Sequence, residues 1–256
     1  MSLTLDRAGG RAGEVAAERR ARASERLLTC EGLFHLYVLQ GREVVALQGV
    51  DLAVDWCEMV ALLGPSGSGK STMMSVMGGL ERPSAGRVLL DGVDVTRLSE
   101  AQLTMLRRRR LGFVWQGGAR NLLPHASAWE NLEVPMLLAD EPTSQLDRAN
   151  VQRVVELLKE AREDLGTTVV LVTHDAEVAA AMDRTVTIRD GRVSAEGRGG
   201  TEYAVVGPTG SLHLPADALA VLPPGGRVTV EVEPDRVVLR PADRRPDDDP
   251  RDGGAP

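Results

Sequence analysis

The chain has 256 residues, of which 43% are hydrophobic, and its 30 basic and 37 acidic side chains leave a formal net charge of −7. This length allows one full-sized domain and a small one, each around a packed core. The negative charge disfavours a surface that holds a nucleic-acid backbone. Only two cysteines are present, Cys30 and Cys57, which argues against a disulfide framework and fits a reducing compartment.

The predicted elements start with a charged leader at residues 1–25, which is either partly helical or disordered and lacks the apolar core of a secretory signal. From Arg26 to about Val54, apolar and polar residues alternate as in short antiparallel strands. No apolar run approaches the roughly 18 to 20 residues of a membrane-spanning helix. We therefore expect a cytosolic protein whose fold begins with β structure.

A short apolar strand at Glu58–Leu63 ends in Gly64, and a helix is predicted to begin at Lys70. Beyond it, strands and helices alternate, which predicts an α/β fold with a mostly parallel, helix-flanked sheet. Strands are predicted at Arg87–Leu90, Leu111–Trp115, Pro135–Asp140, Thr167–Thr173 and Thr185–Arg189, and helices at Glu100–Arg109, Arg148–Leu165 and Ala176–Met182.

The segment between this strand and this helix has the pattern of a phosphate-binding loop, G-x-x-x-x-G-K-[ST]. Its glycines let the backbone turn N–H groups toward a phosphate, and the following helix directs its N-terminal dipole at the same anion. Lys70 would neutralise the β- and γ-phosphates, and Ser71 would bind Mg²⁺. The predicted nucleotide-binding residues of this segment are Gly64, Pro65, Ser66, Gly67, Ser68, Gly69, Lys70, Ser71 and Thr72.

Two further strand ends carry candidate catalytic residues. Asp140 and Glu141 follow an apolar strand, at the edge where open α/β sheets bind ligands. Asp140 is predicted to hold Mg²⁺ through water, and Glu141 to orient or deprotonate the water that attacks the γ-phosphate. His174 follows the strand Thr168–Val172 and is predicted to contact the γ-phosphate. The other histidines have no comparable context.

Together with Gln116, the segment Ala139–Thr143 and the segment Ser144–Asp147, these residues resemble the nucleotide-binding subunit of an ABC transporter, in its macrolide-export and lipoprotein-release (MacB/LolD-like) branch. The resemblance covers about Arg26 to Glu196. It implies a P-loop NTPase fold with a RecA-like parallel sheet and an N-terminal antiparallel β subdomain. It also implies that Tyr37 stacks on adenine, although core packing is the alternative for this side chain. Gln116 would sense Mg²⁺ and link to the permease, and Ser144–Asp147 would contact a second subunit.

The chain departs from the family between the glutamine and the acidic strand. Family members have a helical subdomain there, which ends in a signature motif of the type Leu-Ser-Gly-Gly-Gln. Asp140 follows Gln116 by only 24 positions, which one or two helices of about 11 to 12 residues would use up. Nothing resembles the signature, and Ser127–Pro135 runs directly into the strand at Met136. The pattern predicts that the helical subdomain is largely deleted, with a join near Leu137–Leu138.

After Gly197 the composition changes to Gly, Pro and Val, and the segments Tyr203–Pro215 and Gly226–Pro241 resemble an AbrB-type swapped-hairpin module. Residues 201–240 contain five acids and three arginines, which disfavours binding to a phosphate backbone. We therefore interpret this β module as a dimerisation or regulatory appendage rather than a DNA-binding one. The predicted boundaries are a leader at 1–25, a nucleotide-binding domain at 26–198, the β module at 199–242 and a disordered tail at 243–256.

These features predict an ATP-binding subunit, with ATP and Mg²⁺ as ligands, that couples hydrolysis to export through a separate permease of the FtsX-like type. It would be cytoplasmic and peripheral on the inner face of the cell membrane, and it would form a homodimer through the ATPase face and the C-terminal module. One alternative is a truncated homologue that binds ATP but does not hydrolyse it, or an ATP-responsive dimer, because a missing donor at the transition state costs about 3 to 4 kcal/mol. A DNA-binding regulator is the other alternative.

Overall fold

The computed structural model describes residues 11–39, 41–115, 134–207 and 210–242. The chain divides into two compact units, Met1–Leu212 and His213–Pro256. Among the described residues, no helix is both long enough and apolar enough to cross a membrane.

The first unit contains a four-stranded antiparallel sheet in the order β2-β1-β4-β5. Its strands are β1 (Arg26–Leu39), β2 (Arg42–Asp55), β4 (Ala85–Leu90) and β5 (Val93–Asp94). Alternate side chains of these strands are buried in one hydrophobic core, among them Leu28, Leu47 and Val88. The predicted antiparallel β subdomain at the start of the fold is confirmed.

The larger sheet has seven strands in the order β11-β10-β9-β3-β8-β7-β6. They are β3 (Met59–Leu63), β6 (Leu111–Val114), β7 (Met136–Asp140), β8 (Thr168–Val172), β9 (Arg184–Arg189), β10 (Arg192–Arg198) and β11 (Thr201–Ala204). Strands β6, β7, β8, β3 and β9 are parallel, whereas β10 and β11 add antiparallel strands at one edge. The central strands are apolar throughout because side chains on both faces of this sheet are buried. The predicted α/β fold is confirmed.

Five α-helices and one short 3₁₀ helix are described in this unit. They are α1 (Arg11–Ala21), α2 (Lys70–Met77), the 3₁₀ helix Val95–Arg97, α3 (Glu100–Arg110), α4 (Arg148–Leu165) and α5 (Ala176–Ala180). Helix α4 has the predicted bounds because Asp147 caps its first turn and Gly166 ends it with a left-handed φ of 63°. Helix α3 starts at a capping box formed by Ser99 and Gln102.

The described part of the leader contains a helix, which is one of the two alternatives that the sequence left open for residues 1–25. Helix α1 packs on α4, and Ala16 is completely buried. The Arg19 guanidinium donates to the carbonyl oxygen of Leu165 at 2.9 Å, and Arg20 donates to that of Glu163. These cations satisfy carbonyl groups that the C-terminal end of α4 leaves without helical partners. The leader is thus helical where it contacts the domain.

The C-terminal boundary also differs from the predicted one. Strand β11 pairs with β10 in the large sheet, so the first unit continues to Leu212 instead of ending near residue 198. The second unit contains α6 (Ala216–Val221) and a hairpin of β12 (Val228–Val232) and β13 (Val237–Pro241). The proposed deletion join near Leu137–Leu138 falls inside β7. The segment from Gln116 to Glu133 and the predicted tail lie outside the described residues.

Candidate functional site

The loop Gly64–Gly69 connects the C-terminal end of β3 to the first residue of α2. Its backbone passes so close to neighbouring segments that side chains are excluded at two glycines. A Cβ on Gly64 would lie 2.1 Å from the Ile188 carbonyl oxygen, and a Cβ on Gly69 would lie 2.4 Å from the Ala46 carbonyl oxygen. Both residues have positive φ, 141° and 103°. The glycines therefore permit a loop conformation that an L side chain would disrupt.

The Lys70 side chain folds back over this loop. Its Nζ donates to the carbonyl oxygens of Gly64 at 2.9 Å and of Pro65 at 2.8 Å. The ammonium group thus lies at the mouth of the loop, where an anion can replace the two neutral acceptors. Such a replacement is favourable because a hydrogen bond to an ionised acceptor is about twice as strong as one to a neutral acceptor.

Ser71 and Asp140 meet at the same edge of the sheet although 69 positions separate them in the sequence. The Ser71 Oγ donates to Asp140 Oδ2 at 3.0 Å. Both are oxygen groups of the kind that Mg²⁺ binds together with substrate phosphates. The described parts of the chain hold no group of three or more His, Cys, Asp or Glu side chains that could bind a metal by themselves. This hydroxyl and carboxylate fit a magnesium ion whose other ligands are phosphate oxygens and water.

Glu141 and His174 lie beside this pair. The Glu141 backbone N–H donates to the Val172 carbonyl oxygen at 3.0 Å, and Glu141 has a left-handed φ of 46°. The non-glycine residue is held in this sparsely populated conformation at the strand end. Its Oε1 is 3.4 Å from His174 Nδ1, and the exposed fractions of the two side chains are 24% and 73%. The carboxylate is therefore sheltered, whereas the imidazole is open to a ligand.

Tyr37 forms the apolar end of the same cavity together with Val44, Val45 and Ala46. Its hydroxyl donates to Glu81 Oε2 at 2.6 Å and lies 3.3 Å from Thr72 Oγ1. Burial and the hydrogen bond to Glu81 raise the pKa of Tyr37, and the contact with Thr72 lowers it by less. The phenol therefore stays neutral and keeps its proton for donation.

Most of the predicted site residues line one cavity of about 560 Å³. The predicted residues that line it are Tyr37, Gly64, Ser66, Gly67, Gly69, Lys70, Ser71, Thr72, Asp140, Glu141 and His174. Pro65 takes part through its carbonyl oxygen. Ser68 is buried instead, and its carbonyl oxygen accepts from the Gly191 N–H at 3.1 Å, which holds the loop in place. Gln116 lies outside the described residues.

Four lining residues, Val44, Val45, Ala46 and Val172, are absent from the sequence-based prediction. The first three belong to β2, and they reach the cavity because β2 pairs with β1 opposite Tyr37. Nothing in their local sequence distinguishes them from other valines and alanines of half-buried strands. Asp147, predicted within a loop that contacts a second subunit, accepts from the Asn150 backbone N–H at 2.9 Å and so caps α4.

Comparisons with known proteins point to one family. A family model described as ABC transporter matches residues 47–190. The lipoprotein-releasing system ATP-binding protein LolD 1 of Rhodospirillum rubrum is 36% identical, over 61% of this chain and 92% of the relative. The macrolide export ATP-binding/permease protein MacB 2 of Aeromonas hydrophila is 33% identical, over 68% of this chain and 35% of the relative.

Solved structures agree with these relatives. The dimeric structure of MJ0796, a bacterial ABC transporter cassette, matches with a TM-score of 0.60 and 29% identity, and covers 67% of this chain and 98% of that one. A post-hydrolysis dimer of MJ0796 bound to ADP and phosphate matches with a TM-score of 0.59. The family model spans more than half of this chain. The chain therefore belongs to the ABC transporter family, and its ATP-binding domain is of the LolD and MacB type.

Proposed function

We propose that this chain binds ATP with Mg²⁺ in the cavity between Tyr37 and His174 and serves as the nucleotide-binding subunit of a transporter. The observation that carries the proposal is the meeting of Lys70, Ser71 and Asp140 at the mouth of the glycine loop. A cation, a hydroxyl and a carboxylate in this arrangement suit a polyphosphate and its metal ion. The apolar end at Tyr37 suits a purine ring, on whose face an aromatic side chain can stack.

Each end of the cavity has a task in this proposal. The backbone N–H groups of the loop and Lys70 bind the β- and γ-phosphates, and Ser71 and Asp140 hold Mg²⁺, directly and through water. The metal ion neutralises charge on the phosphate oxygens. Glu141 orients a water molecule toward the γ-phosphate, and His174 donates to that phosphate. Gln116 is proposed as a further contact to the metal and the permease.

The proposed partner is a separate membrane permease of the FtsX-like type. The similarity to MacB 2, an ATP-binding/permease protein, and to LolD 1, the ATP-binding protein of a lipoprotein-releasing system, supports a permease partner. The subunit would then be cytoplasmic and attached to the inner face of the membrane through that permease. MJ0796, a relative of similar fold, is a dimer, which supports a homodimer that meets at the ATPase face.

A second candidate function, ATP binding without hydrolysis, is favoured by the shortness of the segment between Gln116 and Asp140. The alignment with LolD 1 runs over 211 positions but takes in only 61% of this 256-residue chain, so the relative has residues for which this chain has no counterpart. A homodimer without a signature motif lacks donors at the γ-phosphate. Losing one such donor typically slows a reaction by about 10² to 10³.

ATP binding is tested by titrating the full chain with a fluorescent ATP analogue in the presence of Mg²⁺. Lys70→Ala should weaken binding by about 10- to 100-fold, because it removes a charged hydrogen-bond donor to phosphate. The chain has only one other lysine, Lys159, which is exposed on α4, so Lys159→Ala is a matched control. Equal affinities of the Lys70→Ala and Lys159→Ala variants would refute the proposed site.

Turnover separates the two candidate functions. Phosphate release is measured for the wild type and for Glu141→Gln, which retains the shape of the side chain but removes its negative charge. If the subunit hydrolyses ATP, we expect the wild type to release phosphate about 10²-fold faster or more than the variant. Equal rates from two proteins that both bind ATP would support the candidate that does not hydrolyse it.

A further inference from the structure

We propose that Glu81 is a positioning residue, which holds the Tyr37 ring in the orientation that receives the base of the nucleotide. This inference rests on the proposed function, because it concerns the apolar end of the same cavity. Glu81 does not line the cavity itself. It acts through Tyr37, whose hydroxyl donates a hydrogen bond to Glu81 Oε2 at 2.6 Å.

The hydrogen bonds of the Tyr37 hydroxyl connect it to two parts of the phosphate-binding segment. One partner is Glu81, in the connection that follows α2, and the other is Thr72 at 3.3 Å, in the first turn of the same helix. Glu81 is itself held, since its backbone N–H donates to the Ser75 carbonyl oxygen at 3.2 Å. The position of the Tyr37 ring is therefore fixed relative to Lys70, which begins the helix.

His35 adds a second restraint at the same carboxylate oxygen. Its Nε2 lies 3.3 Å from Glu81 Oε2, and its buried ring meets the Tyr37 ring edge-on, with centroids 4.7 Å apart and planes at 82°. Glu81 Oε2 therefore contacts both aromatic side chains, and together these contacts restrain the Tyr37 ring.

Without these contacts Tyr37 would be a partly exposed side chain at the end of β1 that pairs with β2 and not with β4, and it would be free to exchange rotamers. Binding a base would then include the cost of ordering the ring, which preorganisation removes. A ligand with phosphates but no base does not contact the Tyr37 ring, so its affinity does not depend on the orientation of that ring. Loss of Glu81 should therefore weaken the binding of ATP selectively, whereas a merely structural role would weaken ATP and a bare polyphosphate alike.

The test compares affinities of the full chain for ATP and for inorganic tripolyphosphate, both with Mg²⁺. Glu81→Ala should weaken ATP by about 3- to 10-fold and tripolyphosphate by less than about twofold. Glu81→Gln, which keeps an acceptor oxygen, should restore most of the ATP affinity. Glu31→Ala, which removes a carboxylate of β1 that pairs with Arg87 instead, should change neither affinity.

A double-mutant cycle makes the assignment specific. Tyr37→Phe removes only the hydroxyl and should reproduce Glu81→Ala, and the double variant should be no weaker than either single one. Additive losses in the double variant would overturn the inference. So would a Glu81→Ala variant that leaves the ratio of the two affinities unchanged because it weakens both ligands equally or neither. Failure of the wild type to bind either ligand would refute the proposed function itself, so the two failures are distinguishable.

Discussion

At the scale of single residues, the site depends on backbone positions that only glycine can occupy. It also depends on Glu141, a non-glycine residue with a left-handed φ of 46°. Gly64 and Gly69 meet neighbouring carbonyl oxygens at distances that exclude a Cβ, whereas Gly67 has open space around it. The pattern of the loop requires Gly64 and Gly69 and leaves position 67 open. The structure gives the physical reason, because contacts with residues far away in the sequence decide where a side chain would collide.

This difference predicts unequal effects of alanine. Gly64→Ala should lower the free energy of unfolding by about 2 to 4 kcal/mol and weaken binding of the ATP analogue, because the backbone must move away from the Ile188 carbonyl oxygen. Gly41 has a φ of 77° with no atom within 4 Å, so Gly41→Ala should cost only about 1 kcal/mol. Urea unfolding followed by tryptophan fluorescence measures both. Equal losses would show that the close contact at Gly64 is unimportant.

At the scale of elements, Asp91 joins segments that are distant in sequence. Its Oδ1 accepts from Arg22, just after α1, at 2.7 Å, and its Oδ2 accepts from Arg110, at the end of α3, at 2.8 Å. Arg22 also lies 4.4 Å from the centre of the Trp56 ring. Burial of the Asp91 carboxyl opposes its ionisation, but Arg22 and Arg110 outweigh that effect and lower the pKa of Asp91. The ordered part of the leader is anchored through this carboxylate.

A pKa that is lower in the folded chain than in the unfolded chain contributes stability above the unfolded value and loses it as the pH falls through the folded value. Asp91→Asn should therefore destabilise the chain by about 1 kcal/mol at pH 7, and the difference from the wild type should shrink below about pH 4. Melting temperatures across this range measure the effect. Asp164→Asn, at an exposed position of α4, is the control. A difference that stays constant down to pH 3 would contradict the assignment.

At the scale of the whole molecule, the nucleotide site and the C-terminal hairpin belong to different compact units. All described residues that line the cavity precede Leu212. In the hairpin, Val230, Val232 and Val237 are 58%, 78% and 61% exposed. A two-stranded hairpin is marginally stable alone in water, which supports the proposal that this unit pairs with a second copy.

Removal of residues 213–256 should leave nucleotide binding intact and abolish dimerisation. The affinity for the ATP analogue should stay within about twofold of the wild type, because all described residues that line the cavity belong to the first unit. The mass in solution, measured by light scattering without nucleotide, should fall from that of a dimer to that of a monomer. A loss of nucleotide affinity beyond tenfold would contradict the independence of the units. An unchanged mass would contradict dimerisation through the hairpin.

The sequence by itself determined the features that depend on local chemistry. The loop pattern from Gly64 to Ser71, the apolar strand before Asp140 and the capped helix Arg148–Leu165 all follow from spacing and residue type, because turns, caps and buried strands need particular side chains. The mostly parallel character of the large sheet follows from the same alternation of strands and helices, whereas its strand order was not predicted. The predicted role of Gln116 and the predicted deletion of the helical subdomain concern a segment outside the described residues.

Tertiary structure alone decided three features. The leader forms a helix because Arg19 and Arg20 reach the end of α4, more than 140 positions away. Strand β11 extends the large sheet because its backbone groups form hydrogen bonds with β10 at the sheet edge instead of with water. Glu81 approaches Tyr37 across the fold, and neither sequence neighbourhood hints at the other. For the leader and for Glu81 the partner is distant in the chain, so its contribution to the free energy of folding exists only once the chain has folded, whereas β11 pairs with the strand directly before it.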